Sequence, residues 1–206
     1  MIGLDGRTLD ARVYEPASMG ADVIVYLHGG MWLLGDLETH DRTCRRLADA
    51  TRTRVVAVHF RRGPEHRWPA AVEDAVRAID WVVAELDVRH ALLAGDSSGG
   101  HLALLAALRL RDRGDRCDGL LLACPNTDLR LTSASVHRLG QGWGLEVASL
   151  RWAIQQWLPQ GVLPDDPAIS PVLADLRGLP PTVVVTADHD PLYDEGRVLA
   201  QILRET

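Results

Sequence analysis

Residues 91–100 read Ala-Leu-Leu-Ala-Gly-Asp-Ser-Ser-Gly-Gly: an apolar run ends in Gly95-Asp96-Ser97-Ser98-Gly99 and passes straight into a segment of helical period that begins at Ser98. A G-x-S-x-G string between a strand and a helix is the setting of a nucleophile elbow, a turn so tight that its central residue takes strained backbone angles and only small neighbours fit. Such a turn would project Ser97 Oγ from the C-terminal edge of a sheet at a helix N-terminus, where the helix dipole favours developing negative charge.

On either side of this stretch the same rhythm continues. Residues 23–27 (VIVYL), 55–60 (VVAVHF), 119–124 (GLLLAC) and 182–186 (TVVVT), like 91–94, are nearly all apolar, as suits strands covered on both faces of a parallel sheet. Between them, residues 37–51, 69–86, 98–113 and 194–205 repeat apolar residues at i, i+3 and i+4 and predict crossover helices. Residues 8–14 (TLDARVY) alternate like an antiparallel edge strand. The expected architecture is α/β, a mostly parallel sheet with helices on both faces. It forms a single domain over 1–206, with a cap-like insertion at about 131–166 where the alternation breaks.

Composition narrows the chemistry. The chain of 206 residues carries net charge −6, and all 22 of its basic residues are arginine. Without lysine there is no Schiff base, no Walker-A lysine and no Ser-x-x-Lys pair. The acidic balance and scattered arginines give no footprint for nucleic acid. Three cysteines, Cys44, Cys117 and Cys124, lack the pairing or spacing of a disulfide framework or zinc knuckle, and no segment is apolar enough for a signal peptide or membrane span. A cytoplasmic protein is expected, with no membrane partner, no metal and no cofactor. The six tryptophans read as packing residues, except that Trp32 is placed to line a pocket. Gly140 to Gly144 resembles a phosphate loop in spelling alone, since no strand precedes it.

Directly after residues 23–27 comes His28-Gly29-Gly30-Met31-Trp32. Consecutive glycines there let backbone amides point into a site and meet an oxyanion, the other half of an acyl-transfer machine.

Three further strings carry a resemblance. His59 to Ala71 (HFRRGPEHRWPAA), Ser170-Pro171 followed by 179–187 (LPPTVVVTA), and Asp190 to Gly196 (DPLYDEG) stand in the same order as motifs of the hormone-sensitive-lipase-like branch of the α/β-hydrolases. Together with the first two motifs, the chain resembles that family from about Arg12 to Leu203. The resemblance implies a serine carboxylesterase acting on small acyl esters, with Ser97 as nucleophile and Asp190 as the acid that orients a histidine. It maps the oxyanion hole to amides of Gly29, Gly30, Met31 and Ser98. This sequence departs from the family at Met31, which stands for a third glycine and should reshape the acyl pocket, and at His59, Phe60 and Arg62.

In the family the histidine follows the acid by one more helix and strand, yet no histidine occurs from Pro191 to Thr206. The chain is therefore expected to lack the last strand and most of the N-terminal cap, and to be nearly inactive as it stands. Losing a triad histidine removes on the order of 10⁶ in kcat. Of the other histidines, His28 and His101 read as structural, His189 adjoins the acid too closely, His40, His66 and His90 read as loop or helix-surface residues, and His137, in the insertion, is the single one placed to swing over the site. The strand at 182–186 would then be an open edge, inviting a homodimer. Two alternatives accompany this reading: a non-catalytic ligand-binding relative of the same fold, and an amidase using the same machinery.

Overall fold

The computed structural model describes residues 1–4 and 7–206; Asp5 and Gly6, part of the non-basic N-terminal stretch, lie outside the described residues. Strands β1 (Ile2–Leu4) and β2 (Arg7–Leu9) form a small antiparallel pair. The main sheet contains β3 (Ala11–Tyr14), β4 (Val23–Leu27), β5 (Arg54–Val58), β6 (Ala91–Asp96), β7 (Gly119–Ala123) and β8 (Thr182–Val185), in the spatial order β3-β5-β4-β6-β7-β8. Only β3 runs antiparallel, to β5; the other pairings are parallel. The edge strand expected over 8–14 is thus split at Asp10, its second half joining the main sheet.

The helices are α1 (Asp41–Thr51), α2 (Ala70–Glu85), α3 (Ser98–Arg113), α4 (Ala134–Leu139), α5 (Val147–Trp157) and α6 (Tyr193–Glu205). Helix α3 is buried along most of its length and stops at Gly114, whose φ of 73° is the left-handed cap that favours glycine. Helix α1 starts later than its periodicity suggests. Asp36 Oδ1 accepts the amides of Glu38 and Thr39, and this side-chain turn delays the helix to Asp41.

One face of the sheet, with Val23, Val25, Leu27, Val56 and Leu93, packs into the core that includes α2, α3 and Leu199 of α6. The opposite face, with Ile24, Tyr26, Val55 and Ala57, meets Cys44 and Ala48 of α1. β4 is buried at every position, as its apolar sequence predicts. The expectation of two-sided cover does not hold for β8, where Val183 and Val185 are 57% and 49% exposed because α6 lies over the other face and, among the described residues, no helix covers theirs.

From β4 the chain crosses by α1 to β5 on one side, and from β6 it crosses by α3 to β7 on the other. The loops leaving β4 and β6 therefore diverge, and open α/β sheets place their ligand crevice at the C-terminal ends of such strands.

Candidate active site

Ser97 stands between β6 and α3 at φ 52°, ψ −123°, the strained turn that its motif predicts. The strain is sustained by backbone contacts that exclude larger residues. A Cβ on Gly99 would lie 2.0 Å from the Leu27 carbonyl oxygen, and one on Gly95 would lie 2.4 Å from the Gly99 carbonyl carbon. Ser97 N donates to Ala123 O at 2.8 Å, so the turn is also tied to β7. Ser97 is half-buried, while Ser98 beneath it is fully buried.

The turn after β4 lies beside it. Gly30, Met31 and Trp32 all have positive φ (131°, 54° and 61°), and the Gly30 carbonyl closes the turn by accepting from Leu33 and Leu34. Met31 holds by packing an angle that glycine adopts freely. His28 Nδ1 donates to Gly29 O at 2.9 Å while its ring stacks on Phe60 at 4.3 Å. Burial pushes the His28 imidazole down to about 4.

The structure departs from the sequence reading at Gly29 and at Trp32. Gly29, read as an oxyanion donor, spends its N–H on Asp96 Oδ1 at 3.0 Å. The amides of Gly30 and Met31, by contrast, donate to no protein acceptor among the described residues, and the Ser98 amide is a first-turn donor with no partner inside its helix. Trp32, read as a pocket wall, is 1% exposed. Its indole N–H donates to His101 Nδ1 at 2.9 Å and its ring stacks on Trp157 at 5.0 Å. His101 Nε2 in turn donates to Ile169 O at 2.8 Å. These bonds settle the His101 tautomer, and burial holds it neutral, down at about 4. The pair supports the turn from below.

Asp190 follows β8, half-buried, at the same C-terminal edge as Ser97, with the end of β7 between them. Two strand spacings amount to roughly 10 Å. Asp190 Oδ1 accepts the Leu192 amide at 2.9 Å. Burial, and next a hydrogen bond to Asp190, push the neighbouring Cys124 thiol up to about 11. The segment 131–166 is pinned to this loop through Ser135, which donates from Oγ to Pro191 O and from N to Asp194 Oδ2, both at 2.6 Å. Trp143, from the same segment, stacks on His189 at 4.8 Å.

The remaining histidines are engaged elsewhere or exposed: His59 faces Arg62, His90 faces Asp22, and His66 and His137 are on the surface. His40, expected on a loop or helix surface, instead reaches Asp96. Glu195 was missed as well. It is buried, its Oε1 accepts the Thr127 amide at 3.0 Å, and burial raises its carboxyl well above the ordinary range. The sequence does carry a signal for Glu195, a polar residue three after Leu192 and four before Leu199, both of which lie in the core.

Among the described residues no group of three or more His, Cys, Asp or Glu side chains is placed to hold a metal ion, and no helix is long and apolar enough to cross a membrane.

A family described as alpha/beta hydrolase fold matches residues 24–206. The chain is 37% identical to the carboxylic ester hydrolase LipN of Mycobacterium tuberculosis over 211 residues, which cover 95% of this chain and 56% of LipN. It is 35% identical to the ethyl acetate hydrolase of Pseudomonas putida, covering 98% of this chain and 67% of that protein. Among solved structures, an esterase of Pyrobaculum calidifontis superimposes with a TM-score of 0.91 at 38% identity, over 97% of this chain and 69% of that one. EstE1, a thermostable carboxylesterase from a metagenomic library, gives 0.93 at 37% identity, over 99% and 73%. The chain thus spans little more than half the length of LipN and about two thirds to three quarters of the others.

Proposed function

This chain belongs to the alpha/beta hydrolase fold family, and from that membership we propose that it is a serine carboxylic ester hydrolase for small acyl esters with Ser97 as nucleophile. The observation that carries the reading is Ser97 held at φ 52° at the diverging ends of β4 and β6, beside a turn whose Gly30 and Met31 amides are free to donate. The names of similar proteins, carboxylic ester hydrolase and ethyl acetate hydrolase among them, support the substrate class.

In this reading Ser97 Oγ attacks the acyl carbon while its proton passes to a base. The carbonyl π electrons move onto oxygen, and the oxyanion is met by the amides of Gly30, Met31 and Ser98. Collapse of the tetrahedral intermediate breaks the bond to the alcohol, which leaves with the proton from the base. Water then repeats the sequence on the acyl-enzyme and releases the acid. Asp190 is the carboxylate that orients the base.

Among the described residues no histidine is hydrogen-bonded to Ser97 or Asp190, and in this reading residues 1–206 by themselves are expected to show only trace hydrolysis of p-nitrophenyl acetate. Appending a histidine-bearing C-terminal segment from a longer relative should raise kcat by several orders of magnitude, up to about 10⁶. Ser97→Ala should abolish the gain. Fast, Ser97-dependent turnover by residues 1–206 alone would reveal a base among them, and no Ser97-dependent turnover in either form would favour a ligand-binding relative. The segment 131–166 is read as cap-like, and the three unpaired cysteines suit a cytoplasmic protein. The open backbone edge of β8, last strand of the main sheet among the described residues, suits pairing with a second copy.

A further inference from the structure

Asp96 has no part in the chemistry above, yet three separate groups converge on its carboxylate. Tyr26 Oη donates to Oδ1 at 2.6 Å from β4, and the Gly29 amide donates to the same oxygen at 3.0 Å from the turn. His40 Nε2 lies 3.4 Å from Oδ2, at the threshold of α1, with its Nδ1 against Thr39 Oγ1 at 3.0 Å. The fit leaves no slack, since a Cβ on Gly29 would sit 2.4 Å from Asp96 Oδ2 and 3.0 Å from its carbonyl oxygen. Burial alone would favour the neutral acid, but the hydrogen bonds from His40 and Tyr26 outweigh it and keep the carboxyl below its ordinary range. Burial, with the neighbouring Asp96 charge, raises the Tyr26 phenol far above its own range, so the pair stays phenol and carboxylate.

Gly29 is therefore held at both of its polar groups, its N–H by Asp96 and its carbonyl by His28. The next two residues along the chain, Gly30 and Met31, bear the free amides, and the residue next to Asp96 is Ser97 itself. We propose that Asp96 is a positioning residue: its carboxylate, gripping Tyr26, Gly29 and His40, sets the Gly30 and Met31 amides in register with Ser97. The proposal rests on Ser97 being the nucleophile, and Asp96 itself touches no substrate.

Amide NMR on residues 1–206 tests it without needing turnover. The Gly29 amide proton should resonate downfield and move as Asp96 is protonated in acid. In Asp96→Ala that signature should vanish, exchange of the Gly29 amide should quicken at least about tenfold, and the Gly30 and Met31 amide resonances should move, while β4 and β6 keep their protection. Asp96→Asn, which keeps an acceptor oxygen but no charge, should recover part of the protection. In the extended, hydrolytically active form, Asp96→Ala should lower kcat roughly 10- to 100-fold with KM little changed, the pattern of a lost transition-state contact. Ser97→Ala is the control, because it abolishes hydrolysis yet should leave the Gly29 signature intact. Unchanged Gly29 exchange with unmoved Gly30 and Met31 resonances in Asp96→Ala, or uniform loss of protection across a sheet that stays folded, overturns the proposal. If Asp96→Ala does not fold, Asp96→Asn decides alone, and an unmoved Gly29 resonance there overturns it equally.

Discussion

The turns leaving β4 and β6 add close backbone packing on glycines to their hydrogen bonds around Ser97, whereas the loop leaving β8 holds Asp190 by short backbone turns and side-chain hydrogen bonds at the rim of the sheet. In the first region Gly95, Gly99 and Gly29 sit where any Cβ would strike a carbonyl or carboxylate, and four non-glycine residues there, Met31, Trp32, Ser97 and, one strand away, Cys124, keep positive φ. In the second region the contacts run through Ser135, Asp194 and Glu195. Strained angles persist only where surrounding structure over-determines them, which the fully buried β4 provides and the half-exposed β8 does not.

Matched glycine substitutions should expose this contrast most strongly. Gly99→Ala forces a Cβ into the Leu27 carbonyl, and a loss above about 3 kcal/mol or failure to fold is expected. Gly196→Ala meets a movable partner, the Thr186 methyl at 2.7 Å, and gains helix propensity, so a change within about 1 kcal/mol is expected. Chemical denaturation of the two variants measures both, and equal costs would erase the distinction.

The two regions should also answer pH with opposite sign. Burial lowers His28 and His101 from 6.5 to about 4, so between those values the unfolded chain binds more protons. Their contribution is full above pH 6.5 and is lost as pH falls towards 4, each worth on the order of 3 kcal/mol. Glu195 is shifted the other way by burial: its contribution is present below 4.5 and is lost as pH rises through its raised folded value. Stability measured from pH 4.5 to 8 should thus show a shallower acid limb in His101→Gln, and Glu195→Gln should be no less stable than the parent at pH 8. Acid limbs that superimpose for parent and His101→Gln would refute the first half.

The smallest effect is expected at the edge. Val183→Thr with Val185→Thr should alter stability by less than about 0.5 kcal/mol, since both side chains already meet water. Sedimentation of parent and double variant tests whether this face carries a contact between copies, and identical profiles exclude it.

Much of this layout was legible beforehand because strand and helix periods and the glycine turns are local. The run 98–113 coincides with α3, and 23–27 with β4. Sequence and structure part where a side chain's role depends on distant partners. Trp32 looked like a pocket wall by its neighbours in sequence, but His101 and Trp157, far along the chain, draw it into the core. Gly29 looked like a free donor until Asp96 claimed its amide.

By itself the sequence determined the parallel α/β alternation, the strained turn at Ser97 and the order of motifs, since each depends on residues within a few positions of one another. Tertiary structure alone decided which amides are left free, which histidines are locked neutral and that Asp96 joins the two turns. The reason is physical: a hydrogen bond or a clash is settled by three-dimensional distance, and β4 and β6, adjacent in the sheet, are more than sixty residues apart along the chain.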